Sequence, residues 1–279
     1  MKKFGIGLQM YSVRDELSKD FEGTVRKVAE MGYEYVEFAG YYGNLSGEEL
    51  KALLDKYGLK SVSVHQGLEM FVNEGQKAFD FFKAYGVKYI VIPWYDKTKL
   101  PGYDTWEETK KLFASVSDMA KANGMSLLYH NHDFEFEKKI NGEYVYDIMF
   151  RELEGKLDPE PDVCWLNYGG VNPSEYLKKY GDRINVVHLK DFVCTKWAAG
   201  PVYALIDADG NAVKGSQADN GFKFKPVGQG VQKWDEIIAA CSEIDADYLI
   251  VEQDNFFDGI TPFEGVEASR VYLKNTLGI

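Results

Sequence analysis

Four times the chain repeats one phrase: a run of helical period, a glycine, one or two polar residues, and a short buried strand. It reads MGYEYVEF from Met31, YGLKSVSV from Tyr57, YGVKYIVI from Tyr85 and NGMSLLYH from Asn123. Looser copies stand at FGIGLQMY, PEPDVCWL, INVVHLKDF and ADYLIVEQD, which makes eight strand candidates, each with a helix candidate after it. Short, nearly continuous apolar strands covered by helices form parallel sheets, because a crossover helix lies between each strand and the next. Eight such units in 279 residues predict a (β/α)8 TIM barrel, a fold of roughly 250 residues, filling 1–279 as one domain. The competing open, doubly wound sheet lacks a GxGxxG phosphate cradle after its first strand. Ser46 is placed to cap one helix and Pro173 to open another. One piece breaks the rhythm: residues 192–224 form a long Gly-rich βα loop, a candidate lid, with a hairpin expected to turn at Asp209-Gly210.

Composition narrows the chemistry. A formal net charge of −12 repels phosphate backbones, so a nucleic-acid partner is not expected. Cys164, Cys194 and Cys241 are widely spaced with no CxxC pair, which argues against a disulfide framework or thiolate zinc site and fits a reducing compartment. No run approaches the roughly 18 apolar residues of a membrane span. The expectation is a cytoplasmic protein acting on a small molecule, with a homo-oligomer left open.

In a barrel the reactive face lies at the C-terminal strand ends. Gln9, Glu37, His65, Trp94, His130, His132, Asp162, His188, Lys190 and Glu252 fall at or near such ends. The chain has four histidines and all of them are in this set. A lone histidine on an apolar strand is usually a hydrogen-bonded core residue. Four at corresponding positions, with Asp162 and Glu252, converge on one volume and suit a divalent metal. Without a cation, crowded carboxylates would repel one another. In YHNHDFEF the period of two sends His130 and His132 to the lumen and Asn131 toward the helices. Glu135 is a candidate acid or base, or a solvated loop carboxylate. Glu37 is read as a base or as a cation's partner. His65 and Lys190 would hold substrate oxygens, Lys190 alternatively pairing with Asp191. Trp94 would stack on a sugar face or cap the core.

The ordered motifs LQMYSVRD, YHNHDFEF, DVCWLNYGGVNP, NVVHLKD, PVGQG and LIVEQD resemble the sugar phosphate isomerase/epimerase family of the xylose isomerase-like superfamily. The resemblance implies one divalent metal, Mn²⁺ foremost with Co²⁺, Zn²⁺ or Mg²⁺ as alternatives, on a Glu, Asp, His and Glu set. Three of these map to Asp162, His188 and Glu252. The first glutamate falls at or beside His130, so His130, His132 or Glu135 would complete the site. Trp165 stands where many relatives carry a histidine. The implied activity is isomerisation or epimerisation of a sugar, keto-sugar or sugar phosphate through an enediolate. Glu252 would move the proton, with His130, His132 or Glu135 as partner. An inosose dehydratase-like lyase and a non-catalytic carbohydrate-binding barrel are the alternatives.

Overall fold

The computed structural model describes residues 3–197 and 221–279. Eight parallel strands form one sheet: Gly5–Gln9, Tyr35–Ala39, Lys60–His65, Tyr89–Ile92, Ser126–His130, Asp158–Glu160, Val186–Leu189 and Tyr248–Val251. Each of the first five pairs with the next in sequence, and the eighth lies between the first and the seventh. The circuit is completed between the sixth and seventh strands by a single bridge, Asp162 to His188, with the His188 N–H donating to Pro161 O at 2.9 Å. The predicted TIM barrel is therefore the observed fold, with helices outside and the strand ends gathered at one mouth.

Local signals explain the elements. Ser46 and Glu49 form a reciprocal capping box before the helix Gly47–Lys56, and Pro173 opens the helix Pro173–Tyr180. Inside the barrel the strand period of two stacks side chains in layers. Val91, Leu128, Val186 and Ile250 form a buried apolar layer, with Tyr89 and Tyr248 packed against it. Three of these stand two residues before His130, His188 and Glu252, so an apolar floor lies beneath a polar storey. Gly7 belongs to the same interior, since a Cβ there would stand 2.4 Å from Ile250 Cδ1 and 3.1 Å from Tyr35 Cβ.

The sixth strand corrects the sequence reading. Its pairing ends at Glu160, and the apolar run VCWLNY is instead the helix Val163–Tyr168. Asp162 caps that helix, Oδ1 accepting the N–H groups of Cys164 at 2.7 Å and Trp165 at 3.2 Å. The cap ends the strand early and turns Oδ2 away from the helix. The hairpin expected at Asp209-Gly210 lies outside the described residues. The described ends of that long loop pair as an antiparallel ribbon, Asp191–Val193 with Lys223–Lys225.

Asp191 anchors that ribbon to the barrel. Its buried carboxylate accepts N–H groups from Phe192, Gly228, Gly230, Gln232 and the Trp234 indole. Gly230 is needed for the approach, because a Cβ would lie 2.4 Å from Phe192 O. An amide in place of the carboxylate would point N–H at N–H. Asp191→Asn should therefore lower unfolding free energy by at least about 2 kcal/mol, read from urea denaturation against the parent protein.

Candidate metal centre

Cross-strand register brings the polar storey together. Gln9 is level with Glu37, His130 with Glu160, and His188 with both Asp162 and Ile250. Glu37, His65, His130, Glu160, Asp162, His188, Lys190 and Glu252 are all at most 6% exposed. At that burial water cannot neutralise them, so they must neutralise one another or hold an ion.

They divide into two groups sharing two histidines. In each, the candidate ligand atoms lie within 4.8 Å of one another. The outer group is His130, Asp162, His188 and Glu252. His188 Nδ1 is 3.0 Å from Glu252 Oε2, while His130 Nε2 is 3.7 Å from Asp162 Oδ2 and 3.9 Å from Glu252 Oε2. The inner group is His65, His130, Glu160 and His188, with Glu37 beside it. Lys190 Nζ stands 2.8 Å from Glu252 Oε2, 3.1 Å from Asp162 Oδ2 and 3.2 Å from Asp254 Oδ2. Its partners are those three acids rather than Asp191.

Proton states follow from these neighbours. Burial alone would lower the His188 and His65 values, but Glu160 and Glu37 outweigh it; His188 is held well above the usual histidine range and His65 is raised to about 9. Burial would raise Glu37 and Glu252, yet His65 and His188 keep the first, and Lys190 and His188 the second, below the ordinary carboxylate range. Glu160, buried beside Glu37, is raised to about 7. Burial, with His188 and His65 alongside, pushes His130 well down, which keeps its imidazole neutral and its lone pair available.

The donor set fits a divalent cation. Two carboxylates and two imidazoles meet in a buried volume, a combination that suits Mn²⁺, Co²⁺ or Zn²⁺. Asp162 Oδ2 is buried with no aligned hydrogen bond although Lys190 Nζ is near. A cation would satisfy it.

Several expected residues sit elsewhere. His132 is buried, its ring 5.2 Å from His130, stacked on Phe134 at 5.7 Å and 5.7 Å from Trp165; it belongs to neither group. Glu135 is not a solvated loop carboxylate but is buried, accepting the Tyr129 hydroxyl at 2.6 Å and the His132 N–H at 2.9 Å; it too lies outside both groups. Asn131 does not simply face the helices; its Oδ1 accepts the Asp162 N–H at 3.0 Å and so braces a candidate ligand. Trp94 follows the fourth strand and is 44% exposed, so it does not cap the core. Glu160 and Asp254 were missed from sequence. Glu160 stands two residues before Asp162, and strand period alone could have flagged it.

A family model for the xylose isomerase-like TIM barrel matches residues 25–275. The chain belongs to that family. It is 26% identical over 194 residues to an inosose dehydratase of Clostridium perfringens, covering 61% of this chain and 63% of that protein's own length. Two sugar phosphate isomerase/epimerase structures from Parabacteroides distasonis ATCC 8503 are similar. One has a TM-score of 0.77 at 24% identity, covering 99% of this chain and 95% of its own; the other has 0.73 at 27%, covering 97% and 98%. The IOLI protein with a binding zinc atom shares the fold, with a TM-score of 0.67 at 16% identity over 98% of this chain and 97% of that one.

Glu135 gives this family member a pH signature. Burial raises its carboxyl from 4.5 to about 8. Between those values the native state holds a proton that the unfolded chain has released. Its stabilisation is complete below about 4.5 and drains away as pH rises toward about 8. Glu135→Gln does not titrate and can hold both contacts, its carbonyl accepting the His132 N–H and its amide donating to the Tyr129 hydroxyl oxygen, whose own proton turns away. Its urea-unfolding free energy should fall less steeply between pH 5 and 9, by on the order of a few kcal/mol; equal slopes would contradict the assignment.

Proposed function

We infer that the protein is a divalent-metal-dependent isomerase or epimerase of a sugar, keto-sugar or sugar phosphate. The observation that carries this reading is the outer group, four ligand-type side chains from strands five to eight meeting at the barrel mouth. His130 stands in the first ligand place, with Asp162, His188 and Glu252 completing the set, and Mn²⁺ as the favoured ion. A bound ion would supply Lewis-acid polarisation of a carbonyl and its neighbouring hydroxyl.

The chain's own residues do the rest. Glu252, kept ionised by Lys190 and His188, accepts the proton from the carbon between the two oxygens. The Lys190 ammonium, 2.8 Å from that carboxylate, donates to an oxygen as charge develops on it. His132, close to His130 and Trp165 and held neutral by burial and by Lys190, accepts the neighbouring hydroxyl proton and gives it back to the other oxygen, while the protonated Glu252 returns its proton to carbon. Glu135, committed to Tyr129 and the His132 backbone, acts through His132's placement rather than on substrate. Trp94 at the rim offers a stacking face to a sugar ring.

Similarity to an inosose dehydratase favours a second reading, a lyase, since an enediolate with a β-hydroxyl can expel water. One experiment separates them. Protein reconstituted with Mn²⁺ and incubated with keto-sugars and inososes in D₂O should incorporate deuterium at the carbon next to the carbonyl. Recovery of an isomer supports the first reading, and a dehydrated ketone the second. Glu252→Gln should slow exchange about 10²- to 10⁴-fold. Turnover without exchange would refute both proton-transfer schemes.

A further inference from the structure

His188 and His130 each turn one ring nitrogen toward each group, and the two groups fill those contacts differently. On the inner side His188 Nε2 is 2.8 Å from Glu37 Oε1 and 3.3 Å from Glu160 Oε2. His65 Nε2 is 2.7 Å from Glu160 Oε2 and 3.0 Å from Glu37 Oε1. The Gln9 amide donates to that same Glu37 Oε1 at 2.7 Å. Most of these are hydrogen-bond lengths between nitrogen and carboxylate. An amide N–H has no lone pair for a cation, and it closes Glu37 Oε1 to a second ion. His65 Nε2, shared by two carboxylate oxygens, likewise behaves as a donor. On the outer side His130 Nε2 stands beyond hydrogen-bond reach of Asp162 and Glu252. Donors keep such spacing when an ion roughly 2.0–2.2 Å from each stands between them.

We propose that the inner group is not a second metal centre but the hydrogen-bonded frame of a single outer site, with Glu37 as its positioning residue. Glu37 accepts the His188 Nε2–H, which fixes the ring angle so that, once an ion displaces the proton Nδ1 shares with Glu252, Nδ1 faces Asp162, Glu252 and His130. Gln9 holds Glu37 in turn. Its Nε2 anchors Glu37 Oε1 while its own Oε1 accepts the Tyr11 N–H at 3.0 Å. The first strand therefore sets the rotamer of the second strand's glutamate, and through it the aim of the seventh strand's histidine. This rests on the metal reading above and adds a residue that touches neither ion nor substrate.

Zinc is the probe, because it is diamagnetic and needs no turnover. Equilibrium dialysis should find one tightly bound Zn²⁺ per chain. With only four histidines in the chain, long-range ¹H–¹⁵N spectra of histidine-labelled, zinc-loaded protein can resolve each ring, and His188 should carry its proton on Nε2. Glu37→Gln should weaken zinc binding about 10- to 100-fold and shift the visible absorption of the Co²⁺-substituted protein, effects a merely structural residue would not produce in folded protein. Thermal unfolding of the metal-free variant checks that it folds. If it does not, Gln9→Met, which frees Glu37 without removing it, should weaken zinc binding in the same direction by a smaller factor. Two tightly bound zinc ions per chain, a His188 proton on Nδ1, or unchanged affinity in the folded variant would each overturn the proposal. A parent protein that binds no zinc would overturn the metal reading itself.

Discussion

The sheet closes and the site is built at the same contact. Neighbouring strands elsewhere in the barrel are joined by ladders, but the sixth and seventh meet through the bridge between Asp162 and His188. Both residues are candidate ligands of the outer group. The Asp162 backbone is held on one side by Asn131 and its side chain by the helix it caps, and the His188 backbone donates to Pro161. Barrel closure therefore fixes the distance between two candidate ligands, and any slip in that seam would spread the site. A seam made of one bridge suits this purpose, since a continuing ladder would have kept the residues after Asp162 in strand geometry and left its side chain no helix to cap.

The second constraint is electrostatic. Glu37, Glu160, Asp162 and Glu252 lie buried among four histidines and one lysine. Burying any one of these charges alone would cost several kcal/mol. The arrangement alternates sign instead: Glu37 and Glu160 face His65 and His188, while Asp162, Glu252 and Asp254 face Lys190. His130 and His132 are the neutral exceptions. Burial first, and then the cationic His188, His65 and Lys190, disfavour protonation of His130, and a neutral imidazole is what a metal ligand requires. These surroundings keep the His130 lone pair free.

Much of this was legible in the chain. The glycine-bounded strand phrase carried the barrel, because crossover helices need a C-terminal stop and parallel strands need unbroken apolar runs. The histidines were legible because strand ends converge in a barrel. Two kinds of information were not. The run VCWL reads as strand by composition, and only the capping geometry of Asp162 makes it a helix. Glu135 and His132 follow the same strand as His130, but once the strand ends their directions depend on loop packing, so period two no longer places them. Glu160 was overlooked because the sixth strand reads in sequence as running on through Asp162 and VCWL, whereas it ends at Glu160, on the same lumen side as Asp162.

The aromatic surroundings of Lys190 bear on how the site could work. Trp165, Tyr168, Phe192, Phe222 and Phe224 form a buried cluster separate from the main core, contributed by the helix after Asp162 and by the ribbon at the base of the long loop. The Lys190 ammonium lies 5.4 Å from the Trp165 ring and 5.5 Å from the Phe224 ring, and His132 packs on the same tryptophan. The Trp165 indole stands here, so one wall of the site is apolar while the other bears carboxylates and imidazoles. An apolar wall lowers the local dielectric and strengthens the pull between Lys190 and the acids around it. Any charge developing on a bound molecule would be felt in the same way, by groups already oriented before it arrives. Asp191, by clamping the ribbon that carries Phe192 and Phe224, holds this wall in place from below, which makes the loop anchor part of the electrostatics of the site.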